Sequence, residues 1–505
     1  MTMKVVSSEA MALIDRRSQT EFAIPSLLLM EDAGVAAWSV FLSRVLRGRI
    51  PDGPMVFLAG AGNNGGDAFV LARRALCDGV TGLSIVLAAG RPSPETDPGR
   101  MLAMCEAHGI EVLSWEAGRE GVVDRLSRAS WIFDGIAGTG LRGALRAPLA
   151  ELVKAVNAAP GTRVAIDVPS GVRDSFTAAD PAVRASATLT MGLPKLCLYL
   201  PRARALAGRI CVVPVGFPPA LIEDPSIPGE LLPLNAWREI AQPIPADTHK
   251  NRRGHLAVFA GAPGTTGAAW LCATAAARGR VGLVSLFAAA DVYPILAAKS
   301  SSVMVKPWEE PRPPEWGGPD LAGFSGVLAG PGWGLSEGRE RWLARLVTLA
   351  VSGVIDADGI TLLSRIVGRE PLRLGGRWVL TPHPGEFSRL TGVSRDEVLD
   401  DPVRHAAAWS RKLEAVIVLK GHCTVTAAPS GKYWILDGPN AALATGGAGD
   451  VLAGIIAAGI AGGMGPVDAA LFGVSLHARC GRAARREAGW FLAEDLVPMV
   501  SKLLR

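Results

Sequence analysis

A chain of 505 residues exceeds what one hydrophobic core usually organises, so two domains are expected; with 49% hydrophobic and 20% charged residues, a disordered chain is excluded. The net charge of +5 is small for this length and no Lys/Arg tract is dense enough to follow a phosphate backbone, which excludes nucleic acid as the expected partner. Seven cysteines with no Cys-x-x-Cys spacing exclude a disulfide scaffold and a zinc site, and leave reduced thiols in a cytoplasmic protein.

The N-terminal residues lack the pattern of a signal peptide. Further on, the first half alternates short apolar runs with helical stretches. Strands are predicted at 55–59, 83–87, 130–133, 164–166 and 210–213, and helices at 67–77, 98–108 and 149–158. This alternation predicts an α/β domain over 1–216, Rossmann-like and three-layered, with ligands at the strand C-terminal ends. Prolines crowd 217–247 and predict a connector between domains. The pattern restarts over 248–505, with strands at 256–259, 281–287, 326–329, 354–356, 378–380 and 416–419, a helix at 267–278, and a hairpin over 423–436 turning on Pro429-Ser430-Gly431. The Pro- and Trp-rich stretch 307–319 is expected to be an exposed loop. The longest apolar stretch, 451–463, is too short for a membrane span of roughly 20 residues, so no membrane partner is expected.

In the first half, Gly60-Ala61-Gly62-Asn63-Asn64-Gly65-Gly66-Asp67 follows a strand and opens a helix, the place of a phosphate-binding turn. Its two amides and its acid are hard oxygen ligands that a plain glycine loop lacks, which suggests a cation beside the phosphates. A tight turn tolerating positive φ is the plainer reading. Asp134 and Asp167 each close a buried strand, where a carboxylate is costly unless it meets a metal, a donor or a substrate; turn formation is the alternative for each.

In the second half, Gly446-Gly447-Ala448-Gly449-Asp450 precedes an apolar helix, so backbone N–H groups and the helix N-terminus favour a phosphate there. Asp450 is either a helix cap or a general base. Lys420-Gly421 ends a buried strand, Asn440 precedes the glycine run by one loop, and His383 stands between two prolines in Thr381-Pro382-His383-Pro384-Gly385-Glu386, also at a strand end. Gly330-Pro331-Gly332-Trp333-Gly334 follows another strand and permits close backbone approach to a ligand.

Taken in order, Gly254-His255, Gly261 to Ala269, Gly330 to Gly332, Asp356 to Asp358, Thr381 to Glu386, Lys420-Gly421 and Ala444 to Asp450 resemble the ADP-dependent NAD(P)H-hydrate dehydratases, a family of ribokinase-like fold. The resemblance implies removal of water from C6 of the hydrated nicotinamide ring of NADH or NADPH, with ADP converted to AMP and phosphate and Mg²⁺ accompanying the nucleotide. It implies nucleotide contacts at Lys420, Gly421, His422, Cys423 and Thr424 and along Asn440, Ala441, Ala442, Leu443, Ala444, Thr445, Gly446, Gly447, Ala448 and Gly449. Hydrate contacts would come from Ala268, the Gly332–Gly334 loop, and His383, Pro384, Gly385, Glu386, Phe387, Ser388 and Arg389, with Asp450 as the base. One departure is Thr265, where the family usually has Tyr.

Gly60 to Asp67, Asp134 to Gly140 and Ile166 to Gly171 resemble the NAD(P)H-hydrate epimerases, from the first helix through Gly216. That resemblance implies dinucleotide contacts at Asn63, Asn64, Gly65, Gly66 and Asp67 and at Gly138, Thr139, Gly140, Leu141, Arg142, Gly143 and Ala144. It implies K⁺ held by Asn64, Asp134 and Ser170, and acid–base work by Asp167 on the R and S hydrates. Ala68 stands where the family usually has Gly. The two halves together match a bifunctional repair enzyme, expected as a homo-oligomer. The alternatives are a ribokinase-like kinase for a vitamin precursor with an accessory dinucleotide-binding domain, or a chain in which one half is a non-catalytic module.

Overall fold

In the computed structural model, which describes residues 3–241, 243–310 and 319–504, the apolar run Met55–Ala59 is a fully buried strand, β1, at the centre of a parallel sheet. Its companions are β2 (Leu83–Leu87), β3 (Glu111–Ser114), β4 (Trp131–Gly135), β5 (Thr162–Ile166), β6 (Ala187–Met191) and β7 (Arg209–Val213). Their order is β3-β2-β1-β4-β5-β6-β7, every pair parallel. The chain builds outward from β1 to β3, then returns to the other side of β1 with β4, so a crevice opens between the C-terminal ends of β1 and β4. Phe57, Phe69 and Phe133 lie in the core on one face of this sheet, and Val56, Ile132 and Leu152 in the core on the other.

Four differences from the sequence reading have physical causes. The helix expected from residue 67 begins at Asn63, so the glycine-rich segment is its first turn rather than a loop before it. Glycine is a poor helix former, and its use here is steric: a Cβ on Gly65 would collide with the Gly60 carbonyl oxygen. Strands β3 and β6 escaped the sequence reading; β3 is only partly buried and carries Glu111 and Ser114, and β6 alternates Thr188 and Thr190 with apolar residues. The connector expected over 217–247 is largely structured: Gly229–Leu231 is a strand, β8, and Trp237 is buried in the second unit's core. Pro228 and Pro233 flank β8, where they take no ladder hydrogen bond away. Lastly, 307–319 is not wholly a loop, since a strand reaches Trp308, which is buried; positions 311–318 of that stretch lie outside the described residues.

The chain divides into two units, one from Met3 to Pro228 and one from Gly229 onward. The second sheet adds β9 (His255–Phe259), β10 (Leu283–Ala289), β11 (Met304–Trp308), β12 (Gly326–Ala329), β13 (Gly353–Ile355), β14 (Trp378–Leu380), β15 (Val416–Leu419), β16 (Cys423–Ala427) and β17 (Tyr433–Asp437). With β8 the order runs β8-β17-β16-β15-β14-β13-β12-β9-β10-β11, parallel except for the β15-β16-β17 meander. Here too the chain reverses direction across one strand pair, β9 and β12.

One helical stretch among the described residues, Ser26–Val45, is long and apolar enough to cross a membrane. Its Leu29, Met30, Ala33, Ala37, Trp38 and Phe41 are buried in the first unit's core.

Candidate active sites

In the first unit a cavity of about 530 Å³ opens at the β1/β4 crevice. Asn63, Asn64 and Asp67 reach it from the first turns of the helix Asn63–Cys77, Gly138 to Leu141 from the loop after β4, and Asp167 from the end of β5. Arg142, Gly143 and Ala144 are exposed outside its lining, and Gly65 and Gly66 are packed inside the helix turn. Ala68 is helical and fully buried, so a side chain there meets no backbone strain.

Asp134 is wholly buried, yet both its oxygens are used: Oδ1 accepts from the Ser170 hydroxyl (2.5 Å) and the Ile136 N–H (3.3 Å), and Oδ2 accepts from the Ser170 N–H (2.8 Å). Burial pushes its carboxyl up to about 6 against these bonds. Asn64 differs, because both atoms of its side-chain amide are buried without a partner. An unpartnered amide oxygen, a buried carboxylate and a hydroxyl form a hard-oxygen set that suits K⁺ better than a transition metal.

Asp167 has a left-handed backbone (φ +66), unusual for a non-glycine residue. Its N–H donates to the Leu189 carbonyl (2.7 Å), and its Oδ1 accepts from the Met191 N–H (3.1 Å) and from Lys195 Nζ (2.5 Å). Lys195 was not expected from sequence. The available signal was a lysine inside the apolar run Met191-Gly192-Leu193-Pro194-Lys195-Leu196, since a buried lysine needs a partner. Asp67 is held well above the usual carboxylate range, first by burial and then by the negative charge of Asp167.

In the second unit the helix Ala448–Ala461 starts from Gly447, a left-handed N-cap (φ +92) that makes no side-chain cap bond. Asp450 is the third helical residue, so the capping role considered for it is filled by glycine. Burial, followed by the charge of Asp356, pushes its carboxyl up to about 7; Lys420 opposes this, and Glu386 and Asp358 add to it. Lys420 Nζ donates to Asp356 Oδ1 (2.9 Å), which also accepts from Thr381 Oγ1 (2.8 Å), and lies 3.9 Å from Glu386 Oε2. Burial pulls the Lys420 ammonium down, but Asp356, Glu386 and Asp450 together leave it raised.

Beside this cluster lies a cavity of about 830 Å³ lined by Lys420, Gly421, His422, Thr424, Asn440, Ala441, Leu443, Ala444, Ala448, Gly449 and His383, among others. Ala442 and Phe387 are fully buried, so their side chains face the core. Cys423 turns its thiol toward Asp437 (3.5 Å). Thr445, Gly446, Pro384, Gly385, Ser388 and Arg389 lie outside the lining, and Arg389 donates to Thr361 (3.0 Å). His383 caps the helix Pro384–Thr391: its Nδ1 accepts from the Gly385 and Glu386 N–H groups, while Glu386 Oε2 accepts from the His383 N–H (2.9 Å).

The loop after β12 is pinned by Trp333, fully buried and stacked on Trp308. Thr265 Oγ1 donates to the Gly332 carbonyl (2.7 Å) and ties the Ala268 helix to that loop, so the small residue at 265 has a structural use. Gly334 N–H donates to Asp358 (2.7 Å). A further residue missed in the sequence is His477 on the helix Pro466–Ala488. Burial pulls its imidazole down to about 4; the residue lines the cavity, and its Nε2 is buried with no partner.

Residues 26–197 match the family described as YjeF-related protein N-terminus, and residues 256–502 match the NAD(P)H-hydrate dehydratase family. The chain is 33% identical to the bifunctional NAD(P)H-hydrate repair enzyme Nnr of Moorella thermoacetica, over 100% of this chain and 97% of that protein. To the enzyme of the same name from Escherichia coli it is 32% identical, over 94% of this chain and 89% of that protein. Among solved structures, the ADP/ATP-dependent NAD(P)H-hydrate dehydratase of Bacillus subtilis, co-crystallised with ATP and Mg²⁺, is 27% identical over 54% of this chain and 97% of that one, with a TM-score of 0.48.

Proposed function

Since the chain belongs to the family of bifunctional NAD(P)H-hydrate repair enzymes, we propose that its two cavities divide the family's two reactions between them. The unit from Met3 to Pro228 interconverts the R and S hydrates, and the unit from Gly229 onward dehydrates the S hydrate with ADP. The observation that carries this reading is the pair of cavities, one lined by the buried Asp167 and the other lined by Gly449, the residue before the partly buried Asp450.

In the first unit Asp167 takes and returns the proton at the C6 hydroxyl, and Asn63, Asn64, Asp67 and Gly138 to Leu141 hold the dinucleotide. The partnerless Asn64 amide supports K⁺ held by Asn64, Asp134 and Ser170. A bound K⁺ supplies fixed positive charge beside the phosphates.

In the second unit Lys420 and the amides before the helix Ala448–Ala461 hold the ADP phosphates. Asp450 removes the proton of the C6 hydroxyl, whose oxygen attacks the β-phosphorus of ADP, and AMP leaves. The ring nitrogen then expels phosphate from C6, and loss of a proton from C5 restores the C5=C6 bond. Mg²⁺ accompanying the ADP would neutralise phosphoryl charge during the transfer. None of the seven cysteines is joined in a disulfide, which supports a reducing, cytoplasmic setting.

The test is one assay on mixed hydrate epimers, with ADP or ATP and with K⁺ present or omitted. Full conversion of both epimers, with phosphate and AMP formed in step with NAD(P)H and conversion of the R epimer slowed without K⁺, is the expected result. A phosphorylated small molecule accumulating in place of NAD(P)H would instead make the second unit a kinase.

A further inference from the structure

We propose that Lys195 is a positioning residue for epimerisation: it supplies the buried positive charge that holds Asp167 as a carboxylate aimed into the first cavity. The proposal rests on Asp167 being the proton-transfer group there. Lys195 is 1% exposed, and a buried ammonium persists only where its charge and its protons are matched. Two groups among the described residues meet these conditions. Nζ donates to Asp167 Oδ1 and to the Met191 carbonyl, each at 2.5 Å. The same cavity is lined by Lys195 and Asp167 together, so the ion pair stands at the reaction chamber and not behind it.

The backbone points to the same arrangement. Asp167 occupies the left-handed region, a conformation that a non-glycine residue keeps only where its surroundings enforce it. What enforces it is β6 and its exit: Leu189 and Met191 bond the Asp167 main chain and side chain, and Lys195, four residues past Met191, closes the ring from the other side. One short segment thus fixes both the direction and the charge of the carboxylate.

The other titratable groups around the pair are Asp67 on the glycine-turn helix, Asp15 on the N-terminal helix, and Cys197 with Asp174 nearby. Burial holds Asp67 well above the ordinary range and Cys197 well above the ordinary thiol range, so the uncharged form of each is favoured. Lys195 is therefore the cation that matches Asp167. In the reaction, Asp167 accepts the proton of the C6 hydroxyl and becomes neutral while the ammonium keeps its charge. As that oxygen becomes a carbonyl, the C6–N1 bond breaks and its electron pair stays on N1; after rotation about the C5–C6 bond, N1 attacks the other face of the carbonyl, the C6–N1 bond re-forms, and Asp167 returns the proton to the oxygen, so the pair ends as it began.

The experiment uses the full-length enzyme, with R/S interconversion read by chiral chromatography across pH. Lys195→Gln keeps a hydrogen-bond donor for Asp167 and Met191 but removes the charge. Lys195→Ala, assayed with and without ethylamine, leaves room for a replacement cation. The proposal predicts that Lys195→Gln shifts the acidic limb of the pH–rate profile upward by about one unit or more, and that ethylamine restores activity to Lys195→Ala. A loss by the same factor at every pH, with no response to amine, overturns it and leaves Lys195 a packing residue. Asp167→Ala separates the two claims: if that variant still interconverts the epimers, the base assignment falls and the role of Lys195 with it. If Asp167→Ala is inactive while the lysine variants show flat loss without rescue, only the Lys195 proposal falls.

Discussion

The two units treat the same pair of residue types, an aspartate and a buried lysine, in opposite ways. In the first, Lys195 bonds the candidate base directly, at 2.5 Å from Asp167. In the second, Lys420 bonds Asp356 at 2.9 Å, and Asp450 is surrounded by the negative charges of Asp356, Glu386 and Asp358. The difference follows from what each site must do. An epimerase base has only protons to move, so the lysine can be spent on it. On the proposed function, the second site needs its lysine for the ADP phosphates, and the basicity of its aspartate is raised by burial and like charge instead.

The sharpest way to break this comparison is to remove each aspartate in turn. Asp450→Asn is expected to lower dehydration by ~10²- to 10⁴-fold while ADP binding and R/S interconversion persist. Asp167→Ala should do the reverse, stopping interconversion while the S epimer is still consumed. If either substitution impaired both activities, the division of labour between the cavities would be wrong.

Next in size is the pH response. A base at about 7 must be ionised to work, so dehydration should fall about tenfold for each pH unit below 7 and level off above it, in initial rates on pure S epimer. Interconversion does not use Asp450 and should not follow its titration; coincident profiles would mean that one group governs both activities. Omission of K⁺ should slow interconversion alone, and Asn64→Ala should remove most of the response to K⁺, measured by titrating the salt against a Na⁺ control.

The smallest expected effect is on stability. The Asp450 carboxyl is raised in the folded chain to about 7, above its unfolded value, so it favours folding at low pH and the ionised form is penalised as pH rises through 7. Asp450→Asn should therefore stabilise the second unit by about 1–3 kcal/mol at pH 8, with the gain gone near pH 4. Thermal melts of wild type and variant at the two pH values measure it, and an unchanged difference between them would contradict the assigned environment.

How far the sequence reading reached depends on how local the cause was. Strands such as Met55–Ala59 and Val416–Leu419 are continuous apolar runs, and Leu83–Leu87 is broken only by Ser84, so their bounds could be read directly. The helix start at Asn63 could not, because the glycines there serve a close approach to Gly60, a contact that propensity does not record. Strand β8 was hidden by its prolines, since its pairing partner β17 lies roughly two hundred residues later. In the sites, Asp67, Asp134, Asp167 and Asp450 stood at recognisable strand or helix ends. Lys195 and His477 lie within apolar stretches with no motif around them, and only the fold brings Lys195 to Asp167 and His477 to the Ala448 turn.

The parallel pairing of β8 with β17, backed by the Trp434 indole N–H donating to Glu230 (3.1 Å), bears on how this chain can be cut. A fragment beginning at residue 248, where the prolines suggest a boundary, strips one side of Tyr433–Asp437 of its backbone partners. That leaves an apolar, aromatic strand as a template for stray chains, and such a fragment should precipitate. A fragment beginning at Gly229 moves the open side to a three-residue strand between prolines, a far poorer seed for aggregation.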